Sequence, residues 1–202
     1  MLALLLLQAA TPQTAVEAER AFARAAQEKG QWTAFRDYAA PDAVMFVPQP
    51  INAQAWLKDR KDPPKSVEWW PTESYVSCSG TVAVNTGGWI RPDGSVGYFS
   101  TVWSKQKDGS WTWLADHGAP LATPREKPSH PKTVRASCGG KPEIDMGGCL
   151  SDDDRTGCYA AEDQSLQAHW SRDGGTRVFH VTIWTGREWK RVLEDVVIED
   201  AQ

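Results

Sequence analysis

The sequence predicts an α+β protein: three helices at the N-terminal side, then an antiparallel sheet, then a separate three-stranded β-meander at the C-terminus. Three observations lead there. Apolar residues recur at helical spacing only in about the first 60 residues. From Ser66 onward the period changes to two, with Gly- and Asp-rich turn signals between apolar runs. A proline-rich, aperiodic stretch from Pro120 to Pro131 separates this first meander from later strands. Helices first and strands afterwards imply that the helices cover one face of the sheet.

The elements follow in order. Thr14-Ala15-Val16-Glu17 fits a capping box, in which Thr14 accepts from the Glu17 amide and Glu17 reaches back. Ala15, Ala18, Phe22, Ala25 and Ala26 form the apolar face, Glu17, Arg20, Arg24 and Glu28 the polar one, and Gly30 ends the helix. Trp32, Phe35 and Tyr38 mark a short second helix. Pro41-Asp42 turns the chain into a strand at Val44 to Val47, stopped by Pro48 and Pro50. Asn52 caps a third helix, Ala53 to Arg60, ahead of Asp62-Pro63-Pro64. Strands are expected at Val67 to Trp70, Ser74 to Cys78, Thr81 to Ile90, Val96 to Gln106 and Trp111 to Ala115. A two-residue turn at Asp108-Gly109 sets Gln106 opposite Trp111 and Ser104 opposite Trp113. The later strands are Ser165 to Ser171, Arg177 to Trp184 and Glu188 to Ile198. Three strands are marginal alone, so this unit is expected to dock on the first or to rely on a disulfide. The divisions are 1–13, a signal peptide or disordered segment; 14–122, the first domain; 123–160, a linker and cysteine-bearing loop; and 161–202, the meander.

Composition narrows the function classes. With 41% hydrophobic residues among 202, the chain is neither disordered nor a membrane bundle. Its formal charge of −4 is scattered, with no basic stripe for nucleic acid. Met1 to Gln8, followed by Ala9-Ala10, resembles the end of a secretory signal peptide, too short to span a bilayer. This points to a periplasmic or secreted protein; the alternative is a cytoplasmic one with an apolar N-terminus. Cys138, Cys149 and Cys158 fall in a Gly- and Asp-rich segment that a disulfide would fix, with one thiol left over and the connectivity open. Cys78, in an alternating strand, reads as a small buried hydrophobe.

The order of these elements resembles the nuclear transport factor 2-like, or SnoaL-like, superfamily. The resemblance rests on Ala18-Glu19-Arg20-Ala21-Phe22, Tyr38 to Val44, Tyr98 to Trp103, and Asp108-Gly109-Ser110-Trp111 running on to Asp116-His117-Gly118, and spans about residues 14 to 120. It implies a cone, in which a strongly curved sheet and three helices enclose an apolar pocket. Relatives use that pocket for isomerase, dehydratase or cyclase chemistry, or only for binding. The steroid-isomerase branch carries a general-base aspartate after the first strand, where this chain has Phe46-Val47-Pro48-Gln49-Pro50 and no carboxylate.

Of the chain's 11 tryptophans, eight fall between Trp32 and Trp113. The expected pocket lining is Tyr38, Phe46, Trp56, Trp70, Trp89, Tyr98, Trp103 and Trp113; the bland alternative is that these fill the sheet–helix core. Asp116 and His117 are the catalytic candidates, and strand alternation allows at most one of them to face the pocket. His169 and His180 fall opposite each other if Gly174-Gly175 is the turn, but two ligands are too few for tight zinc binding and no metal is expected. Asp152 to Asp154 lack calcium-loop spacing. No phosphate loop or dinucleotide fingerprint appears, and no cofactor is expected. The leading expectation is a binder of a small apolar or aromatic molecule. The rivals are an acid/base enzyme using His117 or Asp116, and an interaction module or homodimer using the sheet face.

Overall fold

The computed structural model describes residues 11–140 and 155–198. The opening helix, α1 (Ala15–Lys29), carries both halves of the capping box at Thr14 and Glu17, and Gly30, at φ 111°, separates it from α2 (Gln31–Tyr38). The apolar faces of these two helices lie on a seven-stranded sheet. Its strands are β1 (Ala39–Phe46), β2 (Pro50–Asn52), β3 (Glu68–Val76), β4 (Val82–Ile90), β5 (Val96–Lys105), β6 (Trp111–Leu121) and β7 (Lys132–Arg135), in the order β2-β1-β6-β5-β4-β3-β7. A third helix, α3 (Ala53–Leu57), is capped by the Asn52 side chain, which accepts from the Ala55 amide. A second sheet contains β8 (Thr156–Ala160), β9 (Leu166–Asp173), β10 (Thr176–Trp184) and β11 (Trp189–Ile198), in the order β11-β10-β9-β8.

Several expectations are corrected. The first sheet is mixed: β1 runs parallel to β6, and β7 parallel to β3. The second sheet has four strands, because Thr156–Ala160, assigned above to the cysteine-bearing loop, pairs with β9. Five residues of modest apolar content give little periodic signal before a partner strand is in place. The two strands expected on either side of residues 71–73 are one strand, with a bulge between Pro71 and Glu73 where the proline lacks a donor. The β5–β6 turn is one residue longer than expected. Gln106 bonds to Ser110, Gly109 takes φ 86°, and Trp103 rather than Ser104 lies opposite Trp113.

The proline-rich stretch is tied to the first sheet and to α1. Arg125 Nη1 donates to Thr86 Oγ1 at 2.8 Å, the Trp70 indole to Glu126 O at 2.9 Å, and Arg20 to Ser129 O at 3.0 Å. The chain thereby returns along β3 as β7, which changes the cysteine assignment. Val76 pairs with Arg135, so a few residues further on Cys78 reaches Cys138, with Cα atoms 5.1 Å apart. Cys78 is therefore a disulfide partner and not a core hydrophobe; a parallel return over 60 residues leaves no local trace in sequence. Cys149 lies outside the described residues, and no described cysteine is a free thiol.

The two sheets share a core. Tyr75, Val84, Val102 and Ala115 of the first pack against Leu166, Ala168, Trp170, Phe179 and Val181 of the second. Polar groups pin this interface. Ser100 Oγ donates to Asp195 Oδ2 at 2.7 Å, and Arg177 donates to Pro48 O and Gly118 O. Of the tail indoles, Trp170 is buried 5.1 Å from Phe46, and Trp184 donates to Gly139 O. No helix among the described residues is long and apolar enough to cross a membrane.

Candidate functional site

The first sheet and α1–α2 border a cavity of about 750 Å³. Phe22 and Phe35 from the helices, Met45 from β1, and Trp69, Trp89 and Phe99 from the sheet supply aromatic and apolar walls. The mouth lies between the Pro63–Val67 segment, the turn at Arg91–Asp93 and the end of β6 at Gly118–Pro120.

Two carboxyl groups mark the inner end. On β5 and β6, Thr101 pairs with Asp116, and Thr101 Oγ1 donates to Asp116 Oδ1 at 2.8 Å. Removal from water pushes the Asp116 carboxyl up to about 6, and the Thr101 bond opposes the rise. The second group is Glu19, on α1 and fully buried. Its Oε1 accepts from Trp69 Nε1 at 2.8 Å; its Oε2 accepts from Trp103 Nε1 at 2.7 Å and Asn85 Nδ2 at 3.2 Å. Burial pushes this carboxyl up to about 7 against the three donors, and the negative charge of Asp116 adds to the rise. The cavity thus combines apolar walls with two carboxyls that change protonation close to neutral pH, an arrangement suited to holding or moving a proton.

A bulge decides which of Asp116 and His117 faces the helices. Trp103 pairs with Trp113 but Val102 with Ala115, so Leu114 is an extra residue on β6. Beyond Leu114 the faces exchange: Trp111 and Trp113 pack with the helices, Ala115 and His117 turn to the second sheet, and Asp116 turns inward. His117 also borders the cavity, but its ring is stacked on Phe179 at 5.2 Å and lies edge-on to Phe46 and Tyr98. Its Nε2 is 3.6 Å from Asp195 Oδ2. Burial lowers the imidazole pKa and nearby Arg177 lowers it further, while Asp195 opposes both.

The expected lining residues divide. Phe46, Trp89 and Tyr98 border the cavity. Trp103 and Trp113 lie in the core, each 0% exposed, with Trp103 spending its indole N–H on Glu19. Tyr38 packs 5.1 Å from Phe22. Trp56 meets Trp32 edge-on under the Arg60 guanidinium. Trp70 points away from the helices, bonded to Glu126 with Lys127 over its ring.

The sequence reading passed over Glu19, Thr101 and Trp69. A signal for Glu19 exists: it lies between Ala15, Ala18, Phe22 and Ala26 on the apolar stripe of α1, where a carboxylate needs buried partners. His169 and His180 pair across β9 and β10 with rings 5.1 Å apart, as the Gly174-Gly175 turn dictates. Among the described residues no group of three or more His, Cys, Asp or Glu is placed to hold a metal ion. Asp152 to Asp154 lie outside the described residues.

No protein-family model matches the sequence, and no curated protein matches it. Several solved structures are similar to about half of this chain. A proposed ketosteroid isomerase from Parabacteroides distasonis is 13% identical, with a TM-score of 0.45, over 57% of this chain and 94% of its own. A proposed ketosteroid isomerase from Shewanella frigidimarina is 18% identical, with a TM-score of 0.39, over 50% and 91%. A nuclear transport factor 2-like superfamily protein from Salmonella enterica is 15% identical, with a TM-score of 0.36, over 54% and 89%.

Proposed function

We propose that the protein binds a small, largely apolar molecule in the cone of its N-terminal domain. The observation that carries this reading is that a cavity of about 750 Å³ stays open although Trp103 and Trp113 already fill the core beside it. That volume lies in the usual range for small-molecule sites, roughly 300–1,000 Å³. The Cys78–Cys138 disulfide supports an oxidising compartment, periplasmic or extracellular. Titration with the neutral fluorophore N-phenyl-1-naphthylamine tests the pocket. Saturable uptake of one probe per chain, with energy transfer from tryptophan, is expected. Absence of saturable uptake overturns the reading.

A second reading, acid/base catalysis on the bound molecule, is favoured by Asp116. A carboxyl that titrates at about 6 against apolar walls suits proton abstraction beside a carbonyl, the step shared by isomerase, dehydratase and cyclase chemistry. The reading relies on Asp116 and not on His117, whose ring is committed to Phe179. The bicyclic ketone β-tetralone in D₂O tests it. NMR is expected to show α-hydrogen exchange accelerated by the protein, rising through about pH 6 as Asp116 ionises. Asp116→Asn is expected to reduce that acceleration by about 10²-fold or more. Exchange no faster than in buffer rejects catalysis and leaves binding untouched.

A further inference from the structure

Charge is unevenly distributed along the depth of the cavity, and this bears on what it accepts. Its mouth is edged by Lys65, between α3 and β3, and by Arg91, just after β4. The Arg91 guanidinium lies 4.5 Å from the centroid of the Trp89 ring, and Trp89 is itself a wall of the cavity, so this charge is held against the entrance. Lys65 makes no ion pair among the described residues. Asp93 shares the rim, but its Oδ1 accepts from the Ser95 amide at 2.9 Å and the Ser95 hydroxyl at 2.7 Å, committing that oxygen to its own turn. Two cations against one anion leave the mouth positive, whereas the inner end carries Asp116 and Glu19.

These charges select an orientation. A molecule that entered anion-first would bring its charge out of water and against Asp116. A cationic molecule would meet Lys65 and Arg91 at the entrance and then lose hydration between aromatic walls. An anion left at the rim keeps its water, gains both cations, and lets an apolar body fill the throat. We propose that the cone takes an amphiphilic anion: an aromatic or alicyclic body against Trp89 and Phe99, a carboxylate, sulfonate or phosphate between Lys65 and Arg91, and a neutral hydroxyl that donates toward Asp116, whose other partner is the Thr101 hydroxyl. This rests on the pocket reading above and names the ligand class for it.

The test compares two probes with the same apolar body, 8-anilinonaphthalene-1-sulfonate and the neutral N-phenyl-1-naphthylamine, each titrated into the full chain at low and high salt. The sulfonate is expected to bind about tenfold more tightly at low salt, at one per chain and in competition with the neutral probe. Lys65→Gln with Arg91→Gln is expected to remove that preference, Arg91→Lys to keep most of it, and high salt to narrow it. Circular dichroism checks that the variants fold. If the neutral probe binds and the sulfonate binds no better, or the preference survives the double substitution, the orientation proposal is overturned and the pocket reading stands. If neither probe binds at one per chain, both are overturned.

Discussion

Replacing Glu19 by alanine is expected to lower the thermal midpoint by about 10 °C. The substitution removes one carboxylate and orphans three buried N–H donors, those of Trp69, Trp103 and Asn85. Each unsatisfied buried donor costs about 1–3 kcal/mol, which makes about 4 kcal/mol a conservative total. At this chain length each kcal/mol moves the midpoint by roughly 2–4 °C. Glu19 also predicts how stability varies with pH. Its carboxyl is pushed up from 4.5 to about 7, chiefly by burial. Between those values the folded protein retains a proton that the unfolded chain releases. Stability is therefore full below the unfolded value and declines as pH rises toward about 7, by about 3 kcal/mol. Asp116, raised from 3.8 to about 6, acts in the same direction over a lower interval. Differential scanning calorimetry from pH 6.5 to 8 is expected to show a falling midpoint in the wild type; below pH 6.5 the lowered imidazole pKa values of buried His117 and half-buried His180 raise stability with pH and oppose the two carboxyls. Glu19→Gln, which cannot ionise, is expected to lose that decline, which lies above about pH 6. A midpoint that does not fall with pH in the wild type contradicts a buried, titrating Glu19.

Removing the Cys78–Cys138 bond is the second large effect. The bond closes a separation of 60 residues, for which the chain-entropy model gives about 4 kcal/mol. The loss is expected to spread beyond the edge strand. Ser137 donates its amide to Trp184 O, and the Trp184 indole donates to Gly139 O, so the segment around Cys138 also anchors β10. Cys78→Ser with Cys138→Ser is expected to lower the urea midpoint clearly, and peptide mapping of non-reduced protein is expected to recover the 78–138 pair. An unchanged midpoint in the double variant rules out this stabilising role.

Local order was largely legible in the sequence. The Thr14 capping box, the Asn52 cap and the Gly174-Gly175 turn each act within a few residues, so their physics is written in adjacent positions. Even the His169–His180 pairing followed, because a tight turn fixes the register of the strands it joins. The inner end of the cavity was less accessible. Glu19 looks like one more surface charge on α1 until Trp69, Trp103 and Asn85 arrive from three different strands with their N–H groups. Aromatic content was readable as bulk and not as position: Trp56, Trp70 and Trp89 share a residue type but occupy a helix edge, an outer face and a cavity wall.

By itself, then, the sequence determined the helices, most strands of both sheets and the concentration of indoles between Trp32 and Trp113, since periodicity and capping are local. Alternation put Asp116 and His117 on opposite faces of β6, and only the tertiary structure decided which of them faces the helices; both border the cavity, against the expectation that at most one would. Alternation counted from Trp113 places His117 on the helix side and Asp116 on the other, and the single extra residue at Leu114 reverses both. A bulge is a property of two strands in register, set by how Trp103 and Trp113 pack against the helices while Val102 and Ala115 pack against the second sheet. The same holds for Cys78, whose partner is chosen by the parallel return of β7. Contacts between strands distant in sequence settle these points, and neither strand carries that information alone.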